Sequence, residues 1–122
     1  MVYYKKEVGK QGEDEAARYL RENGYEITDR NFRTRFGEID IVALENKDIV
    51  FVEVKKRNNS SFGTAQAAVD FRKQGKLVKM AFQYIKSKNC GGANFRFDVL
   101  AISNGNIELI KNAFSARRGS YY

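Results

Sequence analysis

Two apolar runs, Phe36-Gly37-Glu38-Ile39-Asp40-Ile41-Val42-Ala43-Leu44 and Ile49-Val50-Phe51-Val52-Glu53-Val54-Lys55-Lys56, are broken by charge where a sheet would bury it. Ile39, Ile41, Val42, Phe51, Val52 and Val54 make both faces of both runs apolar, the pattern of inner strands. Burying an unpaired charge is costly, so Asp40, Glu53 and Lys55 must pair with one another or serve a ligand. The polar break Glu45-Asn46-Lys47-Asp48 between the runs has hairpin length. A symmetric turn there sets Asp40 opposite Glu53, with Cβ atoms roughly 5 Å apart, near enough for two carboxylates to share one divalent cation. Side chains alternate with period two, so Glu53 and Lys55 share a face, and this register places Asp40 on it too. A slip of one residue would send Asp40 to the other side. The competing reading is an ordinary cross-strand salt bridge at the end of a sheet.

A fourth acid comes from upstream. From Val8 to Asn23 the chain reads as a helix, with Glu13, Ala16, Ala17 and Leu20 on one face and Asn23-Gly24 as its stop. Glu13 thus lies on the inward stripe, unless it falls in a frayed first turn, while Asp14, Glu15 and Glu22 project elsewhere. Glu26 to Arg33 reads as a first strand. A second helical region runs from Thr64 to Lys86 with a break near Asp70, burying Leu77, Val78, Ala81, Phe82, Tyr84 and Ile85. A hairpin joins Phe95–Ile102 to Ile107–Ile110 around Asn104-Gly105. Asp98 is expected to pair with Arg96 or a neighbouring lysine, the alternative being an extra acid of the site. The tail from Ser115 to Tyr122 is expected to be disordered, with Arg117, Arg118 and two tyrosines able to touch nucleic acid.

Absences narrow the chemistry. The chain has no histidine and one cysteine, Cys90, which rules out Ser-His and Cys-His nucleophiles, His-containing metal sites and structural zinc. Gly9-Lys10 and Gly75-Lys76 lack the flanking pattern of a phosphate loop. Carboxylate-metal chemistry remains. At 122 residues and 43% hydrophobic content, residues 1–122 are expected to form a single domain. With no signal-like or membrane-spanning apolar run, a cytoplasmic location is expected and a membrane partner is not.

Charge suggests the partner. A net charge of +7 and a pI near 9.6 favour a polyanion such as nucleic acid, although plain solubility would give the same balance. Arg72, Lys76, Lys79 and Lys86 form a stripe on the second helix that either tracks phosphates or is only a wet surface. Arg30, Arg33, Arg35, Lys56 and Arg57 flank the two charged strands and would bring positive charge to the site. Gln66 is a candidate contact for an attacking water.

The order of a helix with Glu13, then Gly37-Glu38-Ile39-Asp40, then Glu53-Val54-Lys55, resembles the PD-(D/E)-x-K nuclease superfamily, the restriction-endonuclease-like fold. Arg30-Asn31-Phe32-Arg33-Thr34-Arg35, Phe51-Val52-Glu53-Val54-Lys55 and Arg96-Phe97-Asp98-Val99 are more closely similar to the YraN-like family of small bacterial proteins, from about Gly12 to Phe114. The resemblance implies an α/β fold with a three-layer αβββαβ core and a mixed sheet of about five strands flanked by helices. It further implies that Asp40 and Glu53 bind Mg²⁺ or Mn²⁺, that Lys55 positions or activates the attacking water, and that Glu13 completes the site. The proline that precedes the aspartate in the superfamily signature is absent. The function implied is metal-dependent hydrolysis of phosphodiester bonds in DNA, with nucleic acid as the partner and DNA favoured over RNA. Likeness to junction-resolving members suggests branched or damaged substrates, for which a homodimer would carry two sites. The alternative is a non-catalytic nucleic-acid-binding protein on the same fold.

Overall fold

The computed structural model describes residues 2–57 and 69–116. Helix α1 (Val2–Glu22) precedes strands β1 (Glu26–Thr34), β2 (Gly37–Glu45) and β3 (Asp48–Arg57), then helix α2 (Phe71–Ser87) and strands β4 (Phe95–Ser103) and β5 (Asn106–Phe114). The five strands form one sheet in sequence order, antiparallel except where β3 runs parallel to β4. That one parallel pair needs a crossover, which the segment containing α2 supplies. The α/β class and the αβββαβ order are as expected, with β5 added at the edge.

Each helix covers one face. Ala16, Ala17 and Leu20 of α1 pack with Ile41, Ala43, Val50, Val52, Leu100 and Ile102. On the other face, Leu77, Val78, Met80, Ala81 and Tyr84 of α2 pack with Ile39, Val42, Phe51, Phe97 and Val99. β2 and β3 are therefore covered on both sides, as their unbroken apolar composition required. Phe51 sits edge-on to Tyr84 and tilted against Phe97, which stacks on Phe114 at 4.8 Å between centroids. Among the described residues no helix is long and apolar enough to cross a membrane.

Several boundaries differ from the expected ones. α1 starts six residues earlier than Val8, so Glu13 lies well inside the helix and not in its first turn. α2 begins at Phe71, with Asp70 as its N-cap accepting from the Lys73 N–H at 2.8 Å; Thr64 to Ala68, including Gln66, lie outside the described residues. Replacing that cap, Asp70→Ala, is expected to lower stability by about 1 kcal/mol, read by urea denaturation. β5 runs four residues past Ile110, because Asn112 takes a positive φ of 53° and turns Ala113 and Phe114 back onto the core. Ala116 also packs there, so the packed chain extends into the segment expected to be disordered, and Arg117 to Tyr122 lie outside the described residues.

Candidate active site

The β2–β3 turn sets the geometry. Asn46 and Lys47 both take positive φ, 51° and 75°, the two-residue arrangement that matches strand twist. Pairing then runs from Glu45 with Asp48 to Ile41 with Val52, the register of a symmetric turn. One residue further the ladder ends. Asp40 does not pair with Glu53 through the backbone; its Oδ2 accepts from the Val54 N–H at 2.8 Å.

The strand also turns over at this point. Ile39 packs on the α2 side and Ile41 on the α1 side, although residues two apart in a regular strand share a face. Across β1, Asn31 has a positive φ of 54° where its neighbours Arg30 and Phe32 pair with Ile41 and Ile39. The expectation that Asp40, Glu53 and Lys55 simply share one face is corrected here. Asp40 sits in the seam where β2 leaves β3, so its carboxyl group meets residues from both sides.

From the α2 side comes Glu53, 4% exposed, with Oε2 3.7 Å from Lys55 Nζ and 3.1 Å from Lys73 Nζ. The Asp40 and Glu53 carboxyl groups lie within hydrogen-bonding reach of each other. From the α1 side comes Glu13, which lines a cleft of about 250 Å³ with Gly12, Asp40, Val54 and Lys56. Glu13 Oε1 accepts from Asn31 Nδ2 at 2.7 Å, and the same amide reaches Glu38 at 3.1 Å. Gly12 leaves room for Lys56, whose Cδ would stand 3.5 Å from any β-carbon there.

Three acids thus press on one another. Burial, then the charge of Glu53, then that of Glu13 push the Asp40 carboxyl up to about 7, against the opposing Val54 N–H. Asp40 therefore keeps its proton to a higher pH than an ordinary aspartate. The donor set of two adjoining carboxyl groups, half-buried Asp40 and buried Glu53, with Glu13 bordering the cleft that Asp40 lines, fits a hard divalent cation with oxygen ligands. Among the described residues, no three His, Cys, Asp or Glu side chains are already gathered as a metal cage. Asp40 and Glu53 form the pair, while Glu13 is turned toward Asn31.

A raised folded pKa has a definite sign. Between the ordinary aspartate value and about 7 the folded state binds the proton that the unfolded chain has released, so stability falls as pH rises through that window. Asp40→Asn removes the effect. At pH 8 without metal, the variant is expected to exceed the wild type by on the order of 3 kcal/mol. The gap should shrink toward zero near pH 4, as measured by paired urea titrations.

The other anticipated residues divide into two groups. Arg30 is engaged by Asp14 at 2.7 Å and Arg33 by Glu38 at 3.1 Å, so both begin as partners of local acids. The Arg35 guanidinium lies 5.1 Å from the Phe36 ring centroid, and the Lys79 ammonium 5.4 Å from the same ring. Lys56, Arg72, Lys76, Lys79 and Lys86 are exposed. The side chain of Arg57 lies outside the described residues. Lys73 was not anticipated; its sequence signal was its place three residues after a helix-capping aspartate, at the end of α2 nearest the charged strands.

Asp98 pairs with Arg96, as expected. It is 1% exposed and accepts from Tyr25 Oη at 2.8 Å, Arg96 Nε at 3.0 Å and the Asn112 N–H at 2.9 Å. Arg96 also reaches Glu45 and Asp48. Burial first, then the bond to Asp98, raises the Tyr25 pKa, so the phenol stays protonated and donating.

Comparison with known proteins places these residues in a family. A family model described as "Uncharacterised protein family UPF0102" matches residues 12–102, the stretch that holds Glu13, Asp40, Glu53, Lys55 and Asp98. The chain belongs to UPF0102. This is the YraN family to which the sequence motifs pointed. Among its UPF0102 relatives, the protein from Persephonella marina is 47% identical over 106 residues, covering 87% of this chain and 91% of its own. One from Clostridium botulinum strain 657 is 46% identical over 121 residues, covering 93% and 98%. Among solved structures, a repair endonuclease from Pyrococcus abyssi matches 75% of this UPF0102 chain and 38% of its own, at 24% identity and a TM-score of 0.42.

Proposed function

We propose that this protein hydrolyses phosphodiester bonds of DNA with Mg²⁺ or Mn²⁺ at Asp40 and Glu53. The observation that carries the reading is the adjoining pair of carboxyl groups, Asp40 half-buried and Glu53 buried, beside the Lys55 ammonium. A cation bound there would polarise the phosphoryl group and lower the pKa of a bound water. The Val54 N–H holds one Asp40 oxygen, so the carboxyl group is oriented before any ligand binds. Lys55, 3.7 Å from Glu53, would hold an attacking water or offset developing phosphorane charge with a compact positive charge. Glu13, held by Asn31, borders the cleft and completes the acid set. The exposed Lys56, Arg72, Lys76 and Lys79, together with Arg35, would draw in the phosphate backbone.

The test is incubation with labelled linear, single-stranded and branched DNA, with Mg²⁺, Mn²⁺ or EDTA. Cleavage in metal and none in EDTA is the expected result; no cleavage of any substrate in either metal overturns it. The excess of basic residues favours one second reading, a nucleic-acid-binding protein that keeps the fold without the chemistry. Salt-sensitive gel shifts with no metal-dependent cleavage would select it.

A further inference from the structure

We infer that Lys73 of α2 is a second functional lysine of this site, which holds Glu53 while no cation does and is released to a substrate phosphate when one binds. The inference rests on the proposed metal site. It starts from the helix end: Asp70 accepts from the Lys73 N–H at 2.8 Å, the Gln74 N–H bonds the Asp70 carbonyl at 2.9 Å, and Gln74 Nε2 reaches the Val69 carbonyl at 3.1 Å. The first turn of α2 is therefore pinned and the Lys73 side chain starts from a fixed point. Its ammonium lies 3.1 Å from Glu53 Oε2, closer than that of Lys55 at 3.7 Å.

The two lysines differ in their surroundings. Lys55 is anchored on β3 next to the carboxylate, whereas Lys73 reaches Glu53 from another element and its side chain is 41% exposed. Among the described residues, Glu53 is the only ion-pair partner of Lys73. A buried carboxylate oxygen facing an ammonium at this distance has little room for a divalent cation as well, so the two compete for one ligand. Displacing Lys73 loses little, because its half-exposed head can return to water or to an anion. Its neighbours Arg72 and Lys76 are exposed on the same helix, so the freed ammonium joins a positively charged surface suited to phosphate.

Competition and structural support predict opposite results. The wild-type protein, Lys73→Met and Lys73→Arg are titrated with Mn²⁺ alone by calorimetry, and their thermal unfolding is followed with and without Mn²⁺. Lys73→Met is expected to bind Mn²⁺ about tenfold more tightly than wild type. Its melting temperature should be lower without metal, and Mn²⁺ should close that gap, because ligand binding to the folded state adds stability in proportion to affinity. Lys73→Arg keeps the charge and should stay near wild type. With DNA present, Lys73→Met should raise KM by about tenfold. Equal or weaker Mn²⁺ binding by Lys73→Met overturns the inference while leaving the metal site intact. Absence of Mn²⁺ binding in all three proteins overturns the metal site and this inference with it. Should Lys73→Met not fold, Lys73→Gln takes its place with the same expected order.

Discussion

Asp40→Asn and Glu53→Gln proteins are each expected to cleave DNA at least about 10³-fold more slowly than wild type, a loss of roughly 4 kcal/mol of transition-state stabilisation. Both replacements are close to isosteric. In Asp40→Asn the side-chain amide oxygen can still accept from the Val54 N–H, and the pair would lose charge rather than shape. The variants should therefore fold, and Asp40→Asn should be the more stable protein at pH 8 while being inactive. That combination separates loss of chemistry from loss of structure. Lys55→Ala should cost about 10²-fold, the size seen when one stabilising charge is removed from a preorganised site. Glu13→Gln should cost about tenfold, since Glu13 only borders the cleft. Lys76→Ala and Lys79→Ala should act on KM and its salt dependence alone. Single-turnover cleavage at saturating Mn²⁺ checks the series. Full activity in Asp40→Asn or Glu53→Gln would remove the hydrolytic reading.

Asp98→Ala is expected to destabilise the fold by about 2–4 kcal/mol, because several hydrogen-bond donors lose one acceptor at once. The replacement would take the acceptor away from Tyr25 Oη, Arg96 Nε and the Asn112 N–H at once. Arg96 would keep Glu45 and Asp48, so its charge would not be stranded. The buried phenol of Tyr25 would be left without this acceptor, which is the costly part, and the part-buried Asn112 amide would lose it too. Stabilities of natural domains are about 5–15 kcal/mol, so this change consumes a large share. Asp98→Asn keeps an acceptor of the same shape and should lose less than half as much. The measurement is urea denaturation at pH 7. A loss below about 1 kcal/mol in Asp98→Ala would show that the network contributes little net stability.

The parts of the fold that were legible in the sequence are those governed by local rules. Asn46-Lys47 and Asn104-Gly105 adopt the positive φ values that tight hairpins require, so strand pairing followed from the turn. Ala16, Ala17 and Leu20 are buried because the helical repeat brings them to one stripe. The preference for pairing Asp98 with Arg96 came from ordinary charge arithmetic, and the contact is present.

What was not legible depends on departures from regularity or on contacts between distant elements. Period two places Asp40 flatly on one face, and no count of apolar residues signals that the strand rolls over where Asn31 goes left-handed beside it. Tyr25 simply follows the Asn23-Gly24 helix stop in the sequence; only tertiary packing brings it to Asp98, 73 positions away. Glu45 looked like a turn residue, yet Arg96 and Lys111 both hold it. In the sequence Lys73 is one more polar position on a helix, and only the fold brings its ammonium to Glu53 of β3. The expected face-sharing of Asp40 with Glu53 and Lys55 failed for the same reason that the site is interesting, because a regular strand would have kept Asp40 out of the seam.

The bond between the Val54 amide and the Asp40 carboxylate turns a stitch of the sheet into a gauge. A backbone proton there reports on the charge of the very oxygen pair that a cation would claim, so its resonance and its solvent-exchange rate should move with every event at that acid, including those that precede any cut.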